Sequence, residues 1–196
     1  RVVVDKTIWV ANGTILNMTN GDASSAIIGD GETRLIVVVN ASLYLQNLVV
    51  GNGKAIYGGA IAASHSRLIF ERIRFYDNNA TGGGGALFLS NGSIATFGED
   101  SAFFNNTAQS GGTIYVMGGS NASWTGNTTF SNNRAISGSG GALYVTDGSS
   151  VGWTAASKFM NNSAGLNGGA LYVRGFSNVV WTVTSHFFAN TASFGG

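Results

Sequence analysis

Two short motifs recur through the chain in one fixed phase. The first is a Gly-Gly pair followed by a small residue and an aliphatic one, at Gly58-Gly59-Ala60-Ile61, Gly84-Gly85-Ala86-Leu87, Gly111-Gly112-Thr113-Ile114, Gly140-Gly141-Ala142-Leu143 and Gly168-Gly169-Ala170-Leu171. Gly195-Gly196 stands where a further copy would begin. The second is Phe-x-x-Asn, at Phe75/Asn78, Phe103/Asn106, Phe130/Asn133, Phe159/Asn162 and Phe187/Asn190. Both return every 26 to 29 residues. Such a period is the signature of a repeat architecture, in which each unit buries its apolar face only against its neighbours.

The unit is not helical, because Gly and Asn interrupt every stretch long enough for a helix, and both are poor helix-interior residues. Apolar residues alternate instead. Leu87 and Leu89 correspond to Ile114 and Val116, Leu143 and Val145, and Leu171 and Val173, which is the period of a strand. Asn-Gly and Asp-Gly pairs, such as Asn91-Gly92 and Asp147-Gly148, mark tight turns. Each repeat therefore reads as about three short strands with corners. Coiling such units stacks each strand in parallel on its equivalent one repeat later.

The expected fold is all-β: a single-domain right-handed parallel β-helix of about seven coils of roughly 27 residues, a rod of roughly 34 Å. Residues 58–196 form the regular repeats, and 1–57 form degenerate N-terminal coils or a cap.

The two motifs together resemble the repeats of the chlamydial polymorphic membrane proteins and of related β-helix surface proteins. That resemblance covers 58–196 well and 1–57 weakly. It implies an exported, adhesive scaffold at the cell surface.

Composition removes several alternatives. Ten basic residues against nine acidic give a net charge of +1, too little to recruit nucleic acid or an anionic membrane. There is no cysteine, hence no disulfide and no thiolate metal site. The longest apolar run, Leu35 to Val39, is far too short for a transmembrane segment.

No enzyme, metal or cofactor site is expected. β-Helix lyases and epimerases need clustered carboxylates, and the nine here do not recur as a cluster; Asp77 and Asp100 are the closest approach to a pair. His65 and His186 lie in distant repeats, without an acidic residue to orient them. A carbohydrate-binding or carbohydrate-active β-helix is the alternative reading.

Several in-phase columns are candidates for structure or contact. The Phe and Asn of Phe-x-x-Asn are expected to form interior ladders. Phe70, Phe97, Trp124, Trp153 and Trp181 form a second aromatic column, either interior or an exposed platform for sugar rings. Phe88, Tyr115, Tyr144 and Tyr172 sit between inward aliphatics and so should point outward, making a candidate interaction face for glycans or a cell-surface receptor.

Nine Asn-x-Ser/Thr sequons occur, at Asn12, Asn17, Asn40, Asn79, Asn91, Asn105, Asn121, Asn127 and Asn161; 20 asparagines and 37 serines and threonines would give about four by chance. They are candidate N-glycosylation sites of an extracellular glycoprotein. Open coil ends expose unpaired strand edges. Val2, Val3, Val4, Gly195 and Gly196 are therefore candidates for head-to-tail self-association into a filament.

Overall fold

The structure is a computed structural model that describes residues 2–21 and 25–195. It is a parallel β-solenoid of about seven turns of roughly 27 residues, and among the described residues there is no helix. From Ile36 onward each full turn carries four strands rather than the expected three. In one turn these are Ile61–Ser64, Arg67–Glu71, Arg74–Tyr76 and Asn79–Gly83, after which Leu87–Ser90 begins the next. The four sides of the solenoid, taken in that order, are parallel sheets of seven, seven, eight and six strands.

Three sides follow the alternation read from the sequence. On side 1, Leu87 and Leu89 are buried and stand in register with Ile61 and Ala63 before them and Ile114 and Val116 after. Side 4 is the unexpected one. Its strands run through small polar residues, and its inward column is alanine throughout: Ala55, Ala80, Ala108, Ala135, Ala164 and Ala192 in register.

The N-terminal residues extend the same sheets. Val2–Val4 pairs with Ser25–Gly29, Ile8–Ala11 with Ile36–Val39, and Ile15–Thr19 with Ser42–Gln46. One contiguous core runs from Val4 to Ala170.

The Gly-Gly pair is explained by the corner between sides 4 and 1. Gly84 adopts φ +66°, the left-handed region that disfavours a side chain. Gly85 has an ordinary φ, but a Cβ there would collide with the carbonyl oxygens of Gly112 and Thr107 in the next coil. The first glycine supplies the turn and the second lets successive coils touch.

Two aromatic stacks fill the interior. Phe75, Phe103, Phe130, Phe159 and Phe187 stack with centroids 4.7 to 5.4 Å apart. The second column, from Phe70 to Trp181, is also inside the solenoid rather than an exposed platform; its rings stack at 4.5 to 5.1 Å. The two stacks meet edge to face, as at Trp124 and Phe130, 5.7 Å apart, the arrangement the ring quadrupole favours. The cost is two buried indole N–H groups, of Trp124 and Trp153, without an acceptor.

At the corner after side 3, Asn78, Asn106, Asn133, Asn162 and Asn190 form an amide ladder. Each of the first four donates from its side-chain nitrogen to the next asparagine's Oδ1, at 2.9 to 3.1 Å. The same Oδ1 accepts the preceding asparagine's backbone N–H. At the corner after side 1, backbone N–H groups of Ser66, Ser93, Ser120 and Ser149 donate to the hydroxyl of the next serine, ending at Ser177. These two columns satisfy buried corner groups that the strand ladders leave unpaired.

Candidate functional site

Side 1 presents the candidate interaction face. Its register places Phe88, Tyr115, Tyr144 and Tyr172 in one outward column. Neighbouring rings are in contact, with centroids 5.7, 4.7 and 5.3 Å apart; Tyr115 and Tyr144 are stacked, and the pairs on either side are tilted at 42° and 45°. Tyr57, from side 4, extends the row below Phe88 at 4.9 Å.

Arg174 lies over the Tyr144 ring, 5.5 Å from its centroid, a cation–π contact. With neighbours on both sides and this cation above, Tyr144 keeps only 6% exposure. Burial, reinforced by Tyr144 and opposed by Arg174, pushes the Tyr115 phenol up to about 12. Burial raises Tyr144 as well, again opposed by Arg174. Both phenols are held neutral, and much of the column is spent on stacking within the chain.

The accessible part of the face lies toward the N-terminal end. The same column continues through Ala62, Val37 and Trp9. Trp9 is 69% exposed. Between Trp9 and Phe88 the two small side chains leave a hollow of about 220 Å³. Val37 and Ala62 line it with Tyr57 and Phe88, and Arg34, Ser64 and Ser90 add polar groups. Arg34 is anchored by Nη2 donating to the Tyr57 carbonyl at 2.7 Å and Nε donating to that of Gly58 at 3.1 Å. Trp9, Arg34 and Tyr57 were not marked by the repeats. Only the Ile8-Trp9-Val10 alternation signalled Trp9, because the N-terminal coils lack the Gly-Gly punctuation.

All nine sequon asparagines are exposed. None belongs to the interior ladder, whose members Asn78, Asn106, Asn133 and Asn162 are buried. Asp77 follows its side 3 strand while Asp100 precedes the next one, so the two carboxylates stand at opposite ends of the sheet. Ser64 Oγ lies 3.1 Å from His65 Nδ1 and accepts from Asn91 Nδ2, with no carboxylate in that group of contacts.

At the ends, Val2 and Val3 are exposed and Val4 is buried. Gly195 has the positive φ, +69°, of the first glycine at the other Gly-Gly corners, and it follows Phe194, which pairs with Asn167. Gly196 lies outside the described residues. Gly195 is thus in phase for side 1, whose first strand is Ile8–Ala11, whereas Val2–Val4 is the first strand of side 3.

No curated protein and no solved structure matches the chain. The Chlamydia polymorphic membrane protein repeat matches at residues 72–90, 127–146 and 156–174. Each stretch spans a Phe-x-x-Asn motif and runs through the following Gly-Gly corner into the strand beyond it. Three stretches of this solenoid are therefore similar to the repeats of the Chlamydia polymorphic membrane proteins.

Proposed function

We propose that the chain is a non-enzymatic, extracellular β-solenoid displayed at a cell surface, where it serves as an adhesive scaffold that contacts glycans or a receptor through side 1. The observation that carries this reading is the outward aromatic column from Trp9 to Tyr172, broken by the hollow beside Phe88. Aromatic residues enriched on one exposed face are what contact surfaces use. The repeat type supports the surface location, as do nine exposed sequons. The dispersal of the acidic side chains favours a scaffold over a lyase or epimerase.

The test is saturable adhesion of beads coated with the chain to cultured epithelial cells. Trp9→Ser together with Phe88→Ser is expected to cut bead binding at least about fivefold, while Ile136→Ser on side 4 leaves it unchanged. Unsaturable binding, or equal loss in both variants, would count against the reading.

A second reading adds head-to-tail assembly. It rests on the register, which keeps equivalent residues of the first and last coils in the same columns. Continuing the register past the last coil would set Phe187 of one copy against Val2 of the next, Trp181 against Met18, and Tyr172 against Trp9. Filaments in electron micrographs with an axial repeat near ~34 Å, about seven coils of ~4.8 Å, are the expected result. Val3→Lys should abolish concentration-dependent association in sedimentation. Association that is unchanged in that variant would remove the stacking contact.

A further inference from the structure

We propose that side 3 carries a binding site for a uronate-containing oligosaccharide, in the hollow between Arg74 and Lys158. It lies on a different side from the adhesive face and does not depend on that reading.

The register puts Arg74, Ala102, Thr129, Lys158 and His186 in one outward column. Two short side chains between two long cationic ones leave a hollow of about 470 Å³, within the range of small-ligand sites, ~300–1,000 Å³. Arg74 and Lys158 are three coil steps apart, about 14 Å. Both are exposed, and neither takes part in an ion pair among the described residues, which pair Lys54 with Glu32 and Arg72 with Glu99. In a chain of net charge +1, this is a local feature and not a sample of a generally basic surface.

Polar groups also rim the hollow. Asp100 and Asn127 on the rim can accept from and donate to sugar hydroxyls.

Two residues along the same strands, Tyr76 and Phe104 stack at 5.6 Å and are also partly exposed. They offer a flat apolar face of the kind pyranose rings pack against. An acidic peptide fits less well, because the strands of side 3 are already paired on both flanks and leave it no edge to join. A densely charged polyanion is disfavoured by Asp100. Spaced carboxylates on a hydroxyl-rich chain match the two cations and the neutral groups between them.

The test is isothermal titration of the whole chain, produced in bacteria so that Asn127 carries no glycan, with hyaluronan hexasaccharide. Maltohexaose and hexaglutamate serve as comparison ligands. Saturable binding is expected for the hyaluronan fragment, with both comparison ligands at least about tenfold weaker. Arg74→Gln with Lys158→Gln should weaken binding at least about tenfold, while Arg67→Gln with Arg134→Gln, on other sides, should not. The proposal is overturned if the hyaluronan fragment does not bind, if hexaglutamate binds as well, or if the Arg67/Arg134 variant loses as much.

Discussion

Replacing Asn133 by alanine isolates the amide ladder. The Asn133 Oδ1 accepts the Asn106 backbone N–H at 3.0 Å and its Nδ2 at 3.1 Å. The Asn133 Nδ2 donates to the Phe103 carbonyl at 3.1 Å and to Asn162 Oδ1 at 2.9 Å. Asn106 Nδ2 keeps its bond to Phe75, and Asn162 Oδ1 keeps the Asn133 backbone N–H. The group hit hardest is thus the Asn106 N–H, whereas the Phe103 carbonyl still faces the Ser131 N–H in the side 3 ladder. With about 1–3 kcal/mol for the buried N–H that loses its partner and about 1 kcal/mol for the lost amide bond to Asn106, the substitution should cost about 3 kcal/mol.

Asn132→Ala is the control. That residue is exposed at φ 55°, and alanine in the left-handed region costs only about 1 kcal/mol. Urea unfolding followed by fluorescence of the buried Trp124 and Trp153 measures the difference. Hydrogen exchange at the Asn106 amide reads the local effect, because repeat arrays open locally as well as globally. The reasoning fails if Asn133→Ala comes within about 1 kcal/mol of Asn132→Ala, or if the Asn106 amide keeps its protection.

Three further outcomes are expected. Gly85→Ala should cost more than about 3 kcal/mol, because its Cβ meets the carbonyls of Gly112 and Thr107, whereas Gly92→Ala, with φ +70° and open space, should cost about 1 kcal/mol; thermal unfolding separates them. Tyr115, ordinarily near 10.0, is raised to about 12 in the folded chain. The fold holds that proton more tightly than the unfolded chain does, so the stabilisation is complete below pH 10 and disappears as pH rises through about 12. Tyr115→Phe should flatten that part of a stability-versus-pH curve. Phe176 sits at φ 59° and 105% exposure, where the three preceding coils place Gly92, Gly119 and Gly148; Phe176→Gly should raise stability by about 1 kcal/mol in urea unfolding.

The interior of this protein was legible because it repeats. Phe-x-x-Asn announced both the phenylalanine stack and the amide ladder, and the alternation of Leu87 and Leu89 announced side 1. Side 4 was not legible. Its inward residue is alanine, between neighbours such as Asn79 and Thr81, so it carries no apolar alternation and no β-branched run. The serine column did recur, from Ser66 to Ser177, but its bonds come from the backbone of one serine to the hydroxyl of the next, a relation visible only once the corners are superposed. The outward tyrosines were legible as a column; the closeness of their stacking and the Arg174 cover over Tyr144 were not. The cover depends on where one long side chain falls, and no period encodes that.

The same physics explains why a search for recurrence finds the scaffold and passes over the sites. Inward positions are held to a narrow range of size and polarity by the coil above and the coil below, since a change in volume is felt by both neighbours. Outward positions carry no such constraint, and a hollow forms wherever a column drops in size for two successive coils. That happens at Val37 and Ala62 on side 1 and at Ala102 and Thr129 on side 3. Each gap is flanked by long aromatic or cationic side chains, Trp9 and Phe88 in one case and Arg74 and Lys158 in the other. On a solenoid whose sheets are hydrogen-bonded throughout, binding specificity can only be written in side chains on the outer faces. The positions that break the pattern between large neighbours are therefore where a ligand finds both depth and chemistry.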